Sequence, residues 1–303
     1  MLSYRHGFHA GNPADVFKHA VLVALVRALQ EKPRGIQFVD THAGTALYDL
    51  DSAMALKNRE HVAGIGRWWS SATTDPVMTD YLDLVRAINP DRALRWYPGS
   101  PMLLRRLLRS NDRLVLCELH PSEQLALRAR FAGDRQVSLR CGDGYASLAK
   151  VLPPPGGRGL VLIDPPWETR SELADLTHAL ATALERWRHG AIALWYPLLE
   201  GRTCAVPHLP ARLGLDGDAW LDLRLTFRPD QRLGAMFGCG MALINCPYRA
   251  RQRLIDWHAT FTGVPDADCL TPPAPASQAP SPPAASAATT GGSQSKPSAH
   301  GPA

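Results

Sequence analysis

The sequence predicts an α/β fold, an open and mostly parallel sheet with helices on both faces and an antiparallel strand pair at one edge. Three observations carry this. From Gly35 to Pro197, short apolar runs rich in β-branched residues alternate with segments of helical period. After Pro197 two strand-like segments, Trp220 to Phe227 and Cys239 to Asn245, follow without a full helix between them, as an antiparallel pair allows. The chain has 303 residues and is 45% apolar, enough to cover both faces of such a sheet.

Taken in order, Asn12, Pro13 and Asp15 read as the N-cap, first-turn proline and acidic first-turn residue of a helix to about Gln30. Its apolar face is expected at Val16, Ala20, Val23, Ala24 and Leu29. Gly35 to Asp40 is the first strand, and Thr41-His42-Ala43-Gly44-Thr45 is a glycine-bearing turn. The helix that should follow begins only at Tyr97-Pro98-Gly99-Ser100-Pro101, because the next strand, Leu114 to Glu118, then ends in a carboxylate at the right spacing from Ser100. Residues 46–96 are left as an inserted helical subdomain between two parts, 1–45 and 97–265, of one domain. Val62, Ile65, Trp68 and Trp69 pattern one of its segments and Tyr81, Leu84, Val85 and Ile88 another, with Pro76 between; the Trp pair reads as subdomain core.

His120 and Pro121 open a helix to about Phe131, and the strand Val137 to Cys141 ends in Gly142-Asp143-Gly144. A helix to Leu152, a proline-glycine turn at 153–157 and the strand Gly159 to Ile163 come next. A helix from about Ser171 to Arg188, the strand Ala191 to Pro197 and a variable stretch to Gly217 lead to the final strand pair. From Thr271 to Ala303 the chain is Pro, Ala, Ser and Gly with one lysine, too poor in large apolar groups to fold alone, and is expected to be a disordered tail.

Composition narrows the chemistry. The six cysteines form no C-x-x-C pair, so neither a zinc site nor a disulfide framework is expected, and Cys117 and Cys141, each in an apolar run, read as small core residues. The net charge of +5 suits a polyanionic partner, and nearly all of it is arginine, whose planar fork fits phosphates; a general compositional bias toward arginine would look the same. Arg5, Arg105, Arg106, Arg109 and the run Arg249-Ala250-Arg251-Gln252-Arg253 are the phosphate candidates. His6, His9 and His19 crowd the first nineteen residues without a cysteine or carboxylate at ligand spacing, so a substrate-facing role is carried ahead of a metal site. No 18-residue apolar run and no signal-peptide layout appear, which points to a cytoplasmic protein without a membrane span.

The stretch that carries the chemistry is Gly159-Leu160-Val161-Leu162-Ile163-Asp164-Pro165-Pro166-Trp167. A buried strand ends in a carboxylate, a rigid turn and an indole at the sheet edge where α/β proteins bind ligands. Asp164 and the Pro165 carbonyl can each accept one hydrogen of an exocyclic amine while Trp167 stacks on its ring; a plain proline turn with a capping Asp would use the same residues. The tetrapeptide resembles motif IV of S-adenosylmethionine-dependent amino methyltransferases, which act on adenine N6, cytosine N4 or a glutamine amide. The turn after Asp40 resembles their motif I, and Asp143 between two glycines resembles the position that contacts the cofactor's adenine.

A longer set of motifs resembles the bacterial large-subunit ribosomal RNA methyltransferase J family over residues 1 to about 260. It comprises Met1-Leu2-Ser3-Tyr4-Arg5-His6, His9-Ala10-Gly11-Asn12 with Lys18-His19, Asp40-Thr41-His42-Ala43-Gly44, Tyr97-Pro98-Gly99-Ser100-Pro101, Glu118-Leu119-His120-Pro121 and Ile163-Asp164-Pro165-Pro166. The resemblance implies a Rossmann-like class I fold with a seven-stranded sheet, and methylation of an adenine N6 in 23S ribosomal RNA, free or early in assembly; no exposed heptad pattern appears, so a monomer is expected, and the histidine spacing gives no metal site. S-adenosylmethionine would be the donor and S-adenosylhomocysteine the product. It implies cofactor contacts at Lys18, His19, His42, Gly44, Ser100, Glu118, Asp143, Gly144 and Asp164, chemistry at Asp164, Pro165 and Trp167, and substrate contacts at Tyr4, His6 and Trp167. The family usually has tyrosine where Trp167 stands, so a hydroxyl is lost and the pocket's shape changes. A DNA adenine or protein glutamine-amide methyltransferase and a non-catalytic RNA-binding assembly factor are the alternatives.

Overall fold

The computed structural model describes residues 4–262. Its sheet is built around β6 (Gly159–Ile163), buried at every position as its unbroken apolar run demands. β6 pairs in parallel with β1 (Gln37–Asp40) on one side and β7 (Ala191–Leu199) on the other. β1 pairs with β4 (Arg113–Glu118), and β4 with β5 (Val137–Cys141), again in parallel. β9 (Met236–Ile244) runs antiparallel to β7 and to β8 (Trp220–Thr226), lying between them. The order of the seven strands is therefore β5-β4-β1-β6-β7-β9-β8, that of the Rossmann-like class I methyltransferase sheet. Connections diverge to the two sides of β1, which opens a crevice beyond the carboxyl ends of β1 and β6.

Helix α1 (Pro13–Gln30) starts as the sequence predicts, with the Asn12 side chain accepting from the Asp15 amide. It has no single apolar face. Every residue from Pro13 to Val26 is buried, because the insertion covers one flank and α11 (Tyr248–Thr262), a helix the sequence reading leaves unassigned, covers another. Phe17 stacks on Trp257 at 5.6 Å, and Trp257 leans on Phe261 at 4.8 Å.

Residues 46–96 are helical in the main, but a short antiparallel pair, β2 (Leu47–Asp49) with β3 (Trp96–Pro98), closes their base. Between these strands lie α2 (Ala53–Asn58), α3 (Glu60–Ala63), α4 (Ile65–Trp69) and α5 (Pro76–Arg86). α5 is capped by Asp75 and begins with Pro76, and Tyr81, Leu82 and Val85 are buried against α1 and the strands. Trp68 stacks on Phe261 of α11, so the Trp pair packs outward onto the main fold as well as inward. Val62, expected in the apolar face, is half exposed, since α3 is a single turn that ends at Gly64.

The remaining helices, α6 (Ser100–Leu107), α7 (Pro121–Arg130), α8 (Gly144–Val151), α9 (Glu172–Arg186) and the short α10 (Leu209–Leu213), cover the sheet. β9 begins three residues before the predicted Cys239. Cys117 is buried in β4 as expected, whereas Cys141, at the end of an edge strand, is exposed. No helix among the described residues is long and apolar enough to cross a membrane. The tail expected from Thr271 onward lies outside the described residues, as do Met1 to Ser3.

Candidate active site

Four adjacent strands deliver carboxylates to one edge. Asp40 ends β1, Glu118 ends β4, Asp164 follows β6, and Asp143 stands two residues beyond β5. Like charges in a row need separate compensation, and each finds a different kind. Asp40 is fully buried, accepts from the Ser100 hydroxyl at 2.6 Å and from the His42 amide at 3.2 Å, and burial pushes its carboxyl up to about 7. Glu118 takes two backbone donors, the amides of Gly44 at 2.8 Å and His120 at 2.7 Å. Asp143 caps α8 through the Tyr145 amide at 2.8 Å. Asp164 is met by an ammonium: Lys18 Nζ lies 2.6 Å from its Oδ2.

That ammonium is shared. Lys18, with a side chain only 5% exposed, also lies 2.8 Å from Asp15 Oδ1. Burial works against the charged lysine, but the two carboxylates outweigh it and hold its pKa well above the usual value. Asp15 turns its other oxygen, Oδ2, to His6 Nε2 at 2.8 Å and the Gly11 amide at 2.9 Å. Burial opposes its charge too, yet His6 and Lys18 carry its carboxyl well below the ordinary range. His6 Nδ1 in turn meets the Tyr4 hydroxyl at 2.8 Å. The N-terminal segment is thus tied to the edge that carries Asp164, and the structure brings Tyr4, His6, Lys18 and Asp164 into one chain of contacts.

Two glycines are required by geometry. Gly44 has φ +60°, and a Cβ there would stand 2.3 Å from the Tyr48 hydroxyl. At Gly144 a Cβ would meet the Thr41 carbonyl oxygen at 2.1 Å, so only glycine lets α8 start against the β1 turn.

Trp167 has φ +54°, a strained conformation for a bulky residue, and its Nε1 donates to the Trp195 carbonyl of β7 at 3.3 Å. The indole is therefore anchored to the neighbouring strand by the group that a tyrosine lacks. Pro165 is buried beneath it. Lys18 Nζ also lies 5.8 Å from the centroid of the Trp195 ring.

The predicted histidines divide. His42 Nδ1 meets the Thr41 hydroxyl at 2.8 Å and its ring stands edge-on to Tyr145 at 5.2 Å; burial lowers its pKa to about 4, so it is neutral at pH 7. His19 is 1% exposed, bonded through Nδ1 to Tyr97 at 2.8 Å, and lowered by burial to about 3, so it is neutral at pH 7. His9 is paired with Glu60 of the insertion at 2.9 Å. No group of three or more His, Cys, Asp or Glu among the described residues could hold a metal ion.

Residues that the sequence reading gave no site role complete the arrangement. Asp15 is the principal one; its signal was an acid three residues before Lys18 inside an otherwise apolar helix. Trp195, and Tyr145 with its hydroxyl 2.7 Å from Glu172, left no signal in the sequence.

Most of the arginine candidates have partners within the fold. Arg109 spends its guanidinium on Asp112 and on the carbonyls of Gln30, Lys32 and Arg34, at the amino ends of β1 and β4. Arg251 bonds the carbonyls of Asp218 and Trp220 at the start of β8, and Arg249 pairs with Glu31 after α1, at the same far edge. Arg105 pairs with Asp134, and Arg106 donates to the Ala87 carbonyl. Of the named candidates only Arg5, near Ser122 and Glu123, belongs to the segment at the crevice.

The donor set fits a cationic nucleoside cofactor: a row of carboxylates for a sulfonium and a ribose diol, with the tight glycine turns at Gly44 and Gly144 holding the loops close behind them. Comparison with known proteins decides the relationship. The family model described as "Ribosomal RNA large subunit methyltransferase D, RlmJ" matches residues 33–263. The chain belongs to the large-subunit ribosomal RNA methyltransferase J family. It is 38% identical over 255 residues to the ribosomal RNA large subunit methyltransferase J of Escherichia coli, covering 84% of this chain and 90% of that one. Its relative of the same name from Haemophilus influenzae is 38% identical over 250 residues, 82% of this chain and 88% of that one. A crystal structure of a Legionella pneumophila protein superposes with a TM-score of 0.73 at 31% identity, covering 84% of this chain and 94% of that one. As a member of the methyltransferase J family the chain carries Trp167 on the strand edge where the expected tyrosine would stand.

Proposed function

We propose that the protein is an S-adenosylmethionine-dependent methyltransferase of large-subunit ribosomal RNA that methylates N6 of an adenine. Family membership supports the class of reaction and the RNA; Asp164, held at the crevice with one oxygen on Lys18, is the observation that carries the chemistry. Bound S-adenosylmethionine would supply a methyl group on its sulfonium; as the N6–CH3 bond forms in line the S–CH3 bond would break, S-adenosylhomocysteine would leave, and one N6 proton would pass to water.

The protein's part is to prepare the amine. N6 of adenine shares its lone pair with the ring, so it is a weak nucleophile until that pair is localised. Asp164 Oδ1 and the Pro165 carbonyl, both acceptors, take the two N–H groups and draw the nitrogen toward tetrahedral geometry, stabilising the charge that develops on it. Trp167, fixed to β7 by its own N–H, offers a face for the purine, and Tyr4 and His6 cover the base from the N-terminal side. Glu118 holds the ribose of the cofactor, Asp143 and Gly144 its adenine edge, and Lys18, Ser100 and His42 line the path between, with His19 packed beneath them. Holding both reactants at attack distance contributes on the order of 7–11 kcal/mol at the ideal limit. The adenine must leave its stack to enter, so a single-stranded or flipped base on free ribosomal RNA is the substrate.

The test is transfer of labelled methyl to protein-free 23S RNA, assembled large subunits and duplex DNA, followed by nucleoside analysis. N6-methyladenosine in free RNA is the expected product. Label confined to DNA would overturn the choice of substrate, and cofactor binding without label anywhere would favour an RNA-binding assembly factor.

A further inference from the structure

The N-terminal segment and Asp164 are distant in sequence, and a buried carboxylate links them through hydrogen bonds and ion pairs. Asp15 is 2% exposed, and its two oxygens divide their work: Oδ1 holds Lys18, which holds Asp164, while Oδ2 holds His6, which holds Tyr4. None of these links exceeds 2.8 Å. The carboxylate cannot swing, because the Gly11 amide fixes Oδ2 and the Asn12 cap fixes the Asp15 backbone.

We propose that Asp15 is a positioning residue that ties the N-terminal segment to Asp164, so that seating the segment over the crevice and presenting the carboxylate are one event. A capping role alone would not need it, since Asn12 already caps α1. What Asp15 adds is division of charge. An ammonium facing Asp164 alone would neutralise it; shared between two carboxylates it neutralises neither completely, and Asp164 keeps its power to accept from an amine. When His6 leaves, Asp15 loses one hydrogen-bond partner and draws Lys18 toward itself, which alters Asp164 through the shared ammonium. The importance of this for catalysis rests on the function proposed above, but the coupling itself does not.

Hydrogen exchange at the amides from His6 to Gly11 in the full-length protein tests it. Asp164→Asn, at the opposite end of the chain of contacts, is expected to speed exchange of this segment at least about fivefold. In Asp15→Asn the segment is expected to exchange fast already, with Asp164→Asn adding less than a factor of about two. Unchanged exchange in Asp164→Asn, or the same added factor in both backgrounds, overturns the proposal. Should Asp15→Asn fail to fold, Lys18→Met breaks the next link and takes its place in the same comparison. In the methyl-transfer assay Asp15→Asn should lower kcat on the order of a hundredfold with cofactor KM within about threefold, a split that loss of structure would not give. Coupled exchange in a protein that transfers no methyl to adenine would sink the proposed function and leave this inference standing.

Discussion

Charge is concentrated at both ends of the same strands, and the two concentrations are built differently. At the amino end, Asp112 accepts from the Ile36 amide, Gln30 and Arg109, while Arg109 bonds three backbone carbonyls and Gln136 two more. Each group there faces partners from the chain itself. At the carboxyl end, Asp40, Glu118, Asp143 and Asp164 line a crevice, and compensation is partial: a proton, two amides, a helix cap, half an ammonium. A saturated network staples loops together, whereas an unsaturated one is poised for a ligand.

The sharpest break in that comparison is Asp164→Ala, expected to lower methyl transfer by at least about a thousandfold while a thermal melt still shows a folded protein. Its counterpart is Asp112→Ala, which strands Arg109 among carbonyls and should cost about 3–5 kcal/mol in urea denaturation, with kcat of the folded fraction unchanged. Equal loss of activity in both variants would erase the distinction.

A third test uses pH. Asp40 ionises near 7 in the folded protein but near the ordinary 3.8 when unfolded, so between about pH 4 and 7 folding takes up a proton and its contribution to stability falls as pH rises. Asp40→Asn removes that slope, and the stability of the variant relative to wild type should grow from pH 4.5 to 7. A difference constant with pH would show that Asp40 is ionised throughout.

The smallest effect concerns RNA. Lys57 lies over the Phe8 ring, and Arg59 occupies the bend between α2 and α3, so both stand beside the N-terminal segment. Replacing both with alanine should weaken RNA binding several-fold and lower the salt slope of the affinity by about two, while Arg249→Ala at the far edge leaves it unchanged.

Much of this was legible in the sequence, for identifiable reasons. The strands around Asp164 are continuous apolar runs, α1 is announced by Asn12 and Pro13, and the delayed helix at Ser100 follows from the spacing to Glu118. The insertion's base pair of strands escaped notice because three residues, Leu47 to Asp49, are too few to show a period. α1 was read as amphipathic because its burial depends on α11 and the insertion, remote contacts that no local pattern records. The partners of the arginines are hidden for the same reason: Arg109 and Arg251 look like free surface charge until the carbonyls around them are placed. Lys18, His6 and Tyr4 carry the family resemblance, whereas Asp15, which His6 and Lys18 share, reads in the sequence as a first-turn acid of α1 and shows its partners only in three dimensions.

The stacking of Phe17 on Trp257 has a consequence for how the protein is made. The aromatic surface that encloses α1 is synthesised about 240 residues after it. Until then a strongly apolar helix bearing Asp15 and Lys18 has one flank bare, exposed to chaperones and to other nascent chains.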